Sequence, residues 1–139
     1  MPAAPVLDSF ALLSFFRDEP GAEIVAALLE KAEERRRPLQ MTEVNYAEIQ
    51  YIIRRKDGEA AWHIVADELV TLPIEFQPAD RPLADLAADF KTRFKLSLAD
   101  AFAAALAKHK KAELVTADTE FKAVERDVKV FWLTTQGPR

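Results

Sequence analysis

The chain has 139 residues, half of them hydrophobic, and its formal net charge is −4. This length fits a single domain over residues 1–139, with enough apolar side chains for a buried core. The negative charge excludes a general nucleic-acid coat protein, which would bind phosphates through a cationic surface. The absence of cysteine excludes disulfides, zinc–thiolate sites and cysteine nucleophiles.

The chain carries no apolar run as long as a membrane span and no recognisable signal peptide. We therefore predict a soluble, cytoplasmic protein that does not bind a membrane.

Short apolar strands alternate with amphipathic helices, which predicts an α/β fold with a mostly parallel central sheet. Strands are predicted over residues 6–7, 39–41, 70–76, 114–116 and 128–133. Helices are predicted over residues 11–16, 22–36, 42–56, 59–69, 80–94, 97–110 and 120–126. Pro73 predicts that the third strand is an edge strand or ends early, because proline cannot donate to a ladder. Residues 137–139 are predicted to form a loose tail.

Four acidic residues stand out along this pattern: Asp8, Glu48, Asp100 and Asp118. Asp8 and Asp118 follow predicted strands, whereas Asp100 and Glu48 lie near the starts of predicted helices. In an open parallel sheet, the carboxyl ends of strands and the first turns of neighbouring helices meet at one crevice. Clustered carboxylates need a hard cation such as Mg²⁺ or Mn²⁺. The pattern therefore predicts a metal site suited to phosphodiester chemistry.

Helix capping is a competing interpretation for three of these acids. Asp8 and Asp118 could each cap the helix that follows, and Asp100 stands three residues after Ser97, which is the spacing of a capping box. Glu48 is different because no basic side chain stands three or four residues away along its helix. A carboxylate without such a partner needs another one, so Glu48 is the acid that structure alone explains least.

Four short motifs resemble those of PIN-domain ribonucleases, and in particular VapC-type toxins of bacterial toxin–antitoxin modules. In chain order they are Val6-Leu7-Asp8-Ser9, Asn45-Tyr46-Ala47-Glu48, Leu98-Ala99-Asp100-Ala101 and Leu114-Val115-Thr116-Ala117-Asp118. The last motif has Ala117 where the family often has glycine. The resemblance spans nearly the whole chain and implies a three-layer α/β/α domain.

The resemblance also implies an endoribonuclease that uses Mg²⁺ or Mn²⁺. Asp8, Asp100 and Asp118 would hold the metal directly or through water, and Glu48 would complete the site or orient the attacking water. The set of catalytic candidates is therefore Asp8, Glu48, Asp100 and Asp118.

Three polar residues beside these acids are candidates for contacting substrate or supporting the carboxylates: Ser9, Asn45 and Thr116. The alternative for each is a purely structural hydrogen bond to backbone. Glu120 could join the site, although a first-turn acid favoured by the helix dipole explains it equally simply.

The partners implied by the resemblance are an RNA substrate, a small antitoxin whose tail covers the acidic site, and a second copy in a homodimer. The candidates for an apolar antitoxin groove are Phe10, Phe15, Phe16, Ile53 and Trp62. The candidates for contacts with RNA phosphates are Arg17, Arg54, Arg55, Lys91, Arg93 and Lys95.

Three other classes of protein compete with this interpretation. A haloacid-dehalogenase-type phosphatase needs an aspartate two residues after the first, where this chain has Phe10. A receiver domain needs an acceptor aspartate at the end of a later central strand, and the strand around Ile74 offers none. A PIN-like interaction module without nuclease activity stays open, although the four intact carboxylates speak against it.

Overall fold

Five short strands and six α-helices alternate along the chain in a computed structural model that describes residues 3–133. The strands are β1 (Val6–Leu7), β2 (Leu39–Thr42), β3 (Ile74–Gln77), β4 (Leu114–Thr116) and β5 (Val130–Trp132). The helices are α1 (Ser9–Phe16), α2 (Ala22–Arg35), α3 (Glu43–Lys56), α4 (Glu59–Leu69), α5 (Arg81–Arg93) and α6 (Leu98–Lys110). A 3₁₀ helix, Thr119–Val124, links β4 to β5.

All strand pairings in the described chain are parallel, and the strand order is β3-β2-β1-β4-β5. Successive side chains of a strand point to opposite faces. Val6 and Leu114 accordingly pack into one core cluster with α5 and α6, whereas Leu7 and Val115 pack into a second cluster with α1 to α4. Helices therefore cover both faces, and the predicted three-layer α/β/α architecture is confirmed.

The third strand differs from its prediction in where it begins. The chain turns after α4, so the strand starts at Ile74 rather than at residue 70. Pro73 cannot donate a hydrogen bond, but its carbonyl accepts one from the amide of Leu39 at 2.9 Å. The prediction that this strand lies at the edge of the sheet is correct.

Three further elements differ from the predictions in type or by two residues, and one of them is the last strand, which was predicted over residues 128–133 but covers only Val130–Trp132. Helix α1 begins at Ser9, two residues early, because the Asp8 side chain caps it. The helix predicted over residues 120–126 is a 3₁₀ helix that ends at Val124. The tail predicted at residues 137–139 lies outside the described residues. Within residues 3–133, the longest apolar helical stretches fall short of what a membrane crossing needs.

The parallel arrangement places the four predicted acids at one edge of the sheet. The adjacent strands β1 and β4 end side by side, and Asp8 and Asp118 follow them. Helix α3 begins directly after β2, and it packs against α6. Glu48 and Asp100 therefore approach the same edge from two helices.

Candidate metal centre at the carboxyl ends of the strands

Asp8 is fully buried and makes two hydrogen bonds through its carboxylate. Its Oδ1 accepts from the amide of Ala11 at 2.8 Å, which is the N-cap bond of α1. Its Oδ2 accepts from the hydroxyl of Thr116, the last residue of β4. The capping interpretation of Asp8 is correct, and the same bonds fix its carboxylate between β1 and β4.

Thr116 also links Asp8 to the next acid. Its hydroxyl oxygen accepts a hydrogen bond from the amide of Asp118 at 2.9 Å. The Asp118 carboxylate then accepts from the amide of Glu120 at 2.9 Å and caps the 3₁₀ helix. The single buried hydroxyl of Thr116 therefore sets the positions of two carboxylates at the site.

Asp100 lies in the first turn of α6, but Ser97 is the cap of that helix. The Ser97 hydroxyl accepts from the amide of Asp100 at 3.1 Å. The capping bond therefore uses the backbone of Asp100 and does not use its carboxylate, although the residue itself is buried.

Three carboxylates meet closely enough to share a cation. One side-chain oxygen from each of Asp100, Asp118 and Glu120 lies within 4.8 Å of the other two. Glu120 belongs to this group although its sequence position is equally well explained by the helix dipole. The sequence left its membership open, and the turn that Asp118 caps brings Glu120, two residues later, back towards the other acids.

Glu48 approaches the same space from α3. Its Oε1 atom is buried and has no hydrogen-bond partner among the described residues, and its charge contributes to raising the pKa of Asp100. A buried acceptor without a partner costs about 1–3 kcal/mol, and more when it is charged. This atom is therefore the best indication that the site accommodates a group that donates to or coordinates oxygen.

Burial and mutual repulsion disfavour the charged form of two of these acids. Burial raises the pKa of Asp8 to about 7 and outweighs the hydrogen bonds from Thr116 and Ala11, which lower the pKa; the charges of Asp100 and Asp118 add smaller increases. Burial also raises the pKa of Asp100 to about 6, and the charge of Asp118 adds to the effect. A divalent cation would relieve both costs.

The donor set fits Mg²⁺ or Mn²⁺, because every candidate ligand is a carboxylate oxygen. Asp100, Asp118 and Glu120 form the closest trio. Both Asp8 oxygens already accept one hydrogen bond, but each carboxylate oxygen has a second lone pair. Asp8 can thus serve as a ligand while it remains the cap of α1.

Asn45 connects the first turns of α1 and α6 beneath the carboxylates. Its amide nitrogen donates to the Ser9 hydroxyl at 2.9 Å and to the Ala99 carbonyl at 3.2 Å. Its side-chain oxygen accepts from the hydroxyl of Thr42, the N-cap of α3. The side chains of Ser9, Asn45 and Thr116 are all buried. Thr116 contacts the Asp8 carboxylate directly, whereas Ser9 and Asn45 bond to each other and to backbone carbonyls.

Replacing Asn45 with alanine is expected to lower the free energy of unfolding by about 2–4 kcal/mol, because it leaves several buried polar groups without partners. Urea denaturation measures this difference. Gln50→Ala on the same helix is the control and should change stability by less than about 0.5 kcal/mol. Equal, small effects of the two substitutions would contradict the bridging role of Asn45.

Comparison with models of protein families identifies the family of this chain. The family model of the PIN domain matches residues 6–127. The chain belongs to the PIN domain family. The prediction of a PIN domain is thereby confirmed, and no curated protein matches the chain in a separate sequence comparison.

This PIN domain also resembles solved structures over nearly its full length. VapBC2 from Rickettsia felis, bound to a DNA fragment from its promoter, aligns with a TM-score of 0.73 at 15% identity, covering 92% of this chain and 97% of that one. FitAcB from Neisseria gonorrhoeae aligns at 0.67 and 24% identity, covering 93% and 97%. VapBC-5 from Mycobacterium tuberculosis aligns at 0.60 and 23% identity, covering 94% and 98%. At these identities the likeness establishes the fold.

The five candidates for an apolar groove do not form one surface. Phe16 and Ile53 line the same groove between α1, α3 and α4. Trp62 is instead buried in the core, and Phe10 is exposed at the start of α1 beside the carboxylates. The PIN domain therefore has an apolar groove, but it uses only part of the predicted set.

Proposed function

We propose that this PIN domain is an Mg²⁺- or Mn²⁺-dependent endoribonuclease and the toxin of a VapBC-type toxin–antitoxin pair. The observation that carries the proposal is the buried oxygen of Glu48, which has no partner in the described chain and lies near the carboxylates of Asp100, Asp118 and Glu120. A buried carboxylate oxygen without a partner lowers the stability of the fold. A module that only binds other proteins gains nothing in return.

The proposed role of each acidic side chain follows from its position in the site. Asp100, Asp118 and Glu120 would hold the cation, and Asp8 would complete the site from the buried side. When bound, a divalent cation lowers the pKa of water and stabilises the negative charge that develops on phosphate. The free Glu48 oxygen accepts a hydrogen bond from the attacking water and orients it. Asn45 and Thr116 keep these groups in place.

The apolar groove between α1, α3 and α4 is the proposed site for an antitoxin segment. Its walls include Phe16, Ile53, Ile64 and Val65, and Ile64 is strongly exposed. Similar folds occur in solved VapBC and other toxin–antitoxin complexes, which supports a partner of this class. Action in the cytoplasm, as a single-domain protein that forms a homodimer, is part of the same proposal.

The proposal is tested by incubating the purified protein with mixed single-stranded RNA in Mg²⁺ or Mn²⁺. We expect cleavage that EDTA abolishes and that Asp100→Asn lowers by at least about 100-fold, the usual scale for removing a group that stabilises transition-state charge. Asp67→Asn, an exposed acid on α4, makes the same chemical change and should cleave like the wild type.

Equal cleavage by the wild type and Asp100→Asn would point to a contaminating nuclease and contradict the proposal. No cleavage in any metal, together with stable binding of an antitoxin, would instead support the interaction module without nuclease activity.

A further inference from the structure

On the side of α3 that carries Glu48, Tyr51 and Arg55 are exposed, whereas Ile52 is partly buried against the core. An α-helix turns about 100° and rises about 1.5 Å per residue, so Arg55 lies only roughly 20° from Glu48 around the axis and about 10 Å along it. Tyr51 lies between them, roughly 60° from Glu48 on the same side. An extended strand leaving the carboxylates along α3 would pass Tyr51 first and Arg55 second.

The side chains of Tyr51 and Arg55 stack on each other, and both residues are exposed. The Tyr51 residue is 47% exposed, and the Arg55 guanidinium lies over its ring, 5.2 Å from the centroid. A stacked guanidinium keeps the N–H donors at its edge free for a phosphate. The pair thus presents one aromatic surface and one set of cationic donors to solvent.

Arg55 differs from most of the other basic residues that are candidates for RNA contacts. Arg17, Arg54 and Arg93 are ion-paired with acidic side chains, and the ammonium group of Lys91 donates to the carbonyl of Leu96. In the part of the chain that the structure describes, Arg55 has no ion pair. No acidic side chain among the described residues therefore neutralises its charge. Arg55 also lies on the same helix as Glu48.

Single-stranded RNA is the ligand whose chemistry matches this pair. The chain is acidic overall, so a phosphate strand that reaches the carboxylates needs local cations in addition to the metal. Proteins that bind single strands combine basic side chains with aromatic rings on which bases stack. An ordinary surface contact between residues four apart on a helix explains why Arg55 stacks on Tyr51. It does not explain why both residues lie on the side of α3 that carries Glu48.

We propose that Tyr51 and Arg55 bind the RNA strand next to the scissile phosphate, with a base stacked on the Tyr51 ring and a neighbouring phosphate held by Arg55. The proposal rests on the proposed ribonuclease function. Helix α3 would then have two roles. Through Glu48 it would orient the attacking water, and through Tyr51 and Arg55 it would set the direction in which the RNA strand leaves the site.

The test measures RNA binding separately from cleavage. In an Asp100→Asn background, a short fluorescein-labelled single-stranded RNA is titrated at several salt concentrations and followed by anisotropy. Arg55→Ala is expected to reduce the slope of log affinity against log salt by about 0.7, the value for one phosphate contact on a single strand. Tyr51→Ala should weaken binding by roughly 5- to 100-fold, whereas Tyr51→Phe should bind like its parent.

Lys56→Ala is the matched control, because it removes one exposed charge from the same helix, about 100° around the axis from Arg55 and about 80° from Glu48. It should leave the salt slope unchanged. Equal slopes for Arg55→Ala and Lys56→Ala, with undiminished binding by Tyr51→Ala, would overturn the inference. The inference would also be overturned if Tyr51→Ala and Arg55→Ala weakened binding of an antitoxin but left RNA binding unchanged. The surface would then bind a protein.

The outcomes separate this inference from the proposed function. If the otherwise wild-type protein cleaves no RNA but Tyr51→Ala and Arg55→Ala weaken RNA binding, the nuclease assignment fails and the binding surface stands. If the protein cleaves RNA and both variants bind as the parent does, the nuclease assignment stands and the binding surface fails.

Discussion

Asp8→Asn is expected to stabilise the metal-free protein at pH 8 while it lowers RNA cleavage by at least about 100-fold. The stabilisation follows from burial, which raises the pKa of Asp8 to about 7 from an ordinary value of 3.8. At pH 8 the folded protein therefore contains a buried charge that the unfolded chain exposes to water. Asparagine has no such charge, and its side-chain oxygen can still accept from the Ala11 amide.

The sign of this effect follows from the two protonation equilibria. Because the folded pKa of Asp8 is above the unfolded pKa, its contribution to stability is fully present below about pH 4 and is lost as the pH rises through about 7. Linkage limits the loss to at most about 4 kcal/mol. Asp8→Asn should remove the loss, so its advantage over the wild type should grow between pH 5 and pH 8.

Urea denaturation in EDTA at both pH values measures this change. Asp127→Asn is the control of opposite sign, because Arg93 holds the pKa of the Asp127 carboxyl below its usual range. That substitution should lower stability at pH 8. A larger loss of stability from Asp8→Asn than from Asp127→Asn would contradict the assignment of a costly buried charge to Asp8.

Addition of Mn²⁺ is expected to raise the thermal unfolding midpoint strongly at pH 8 and weakly at pH 5. At pH 8 the carboxylates of Asp8 and Asp100 are ionised, since burial raises their pKa values only to about 7 and about 6. At pH 5 both hold protons that a cation must displace. A metal concentration of about 100 times Kd contributes about 2.7 kcal/mol, which corresponds to a midpoint shift of roughly 10 °C.

Differential scanning calorimetry with and without Mn²⁺ measures the two shifts. Asp100→Asn should lose most of the shift at pH 8, and Asp67→Asn should keep it. A shift of equal size at both pH values, or one that survives in Asp100→Asn, would mean that Mn²⁺ binds elsewhere.

The sequence predicted the fold because its patterns report local burial. The apolar segments at Val6 and Leu114 are short and each leads into an aspartate, Asp8 or Asp118, which indicates buried parallel strands. The third strand was placed too early because Val70 is apolar, yet it lies 85% exposed in the turn after α4. Apolar character alone does not distinguish a strand from an exposed turn, and only the pairing of Ile74 with Leu39 fixes the boundary.

The candidate site was predictable for a different reason. A parallel sheet sends the carboxyl ends of its strands to one edge, so Asp8 and Asp118 had to lie near each other if β1 and β4 are neighbours. The sequence left open whether Glu120 joins the site, because its membership depends on how the turn after Asp118 folds back. That geometry is set by the hydrogen bond from the Glu120 amide to Asp118, which has no distinct sequence pattern.

By itself the sequence determined an α/β chain with four ordered acidic motifs, and it indicated that Glu48 has no cation along its helix. The tertiary structure alone decided the strand order, the bridge that Asn45 makes between Ser9 and Ala99, and the burial that raises the pKa of Asp8. The physical reason is that periodicity and capping are local properties of the chain. The distance between two carboxylates, and the water excluded from around them, depend on packing between segments that are far apart in sequence.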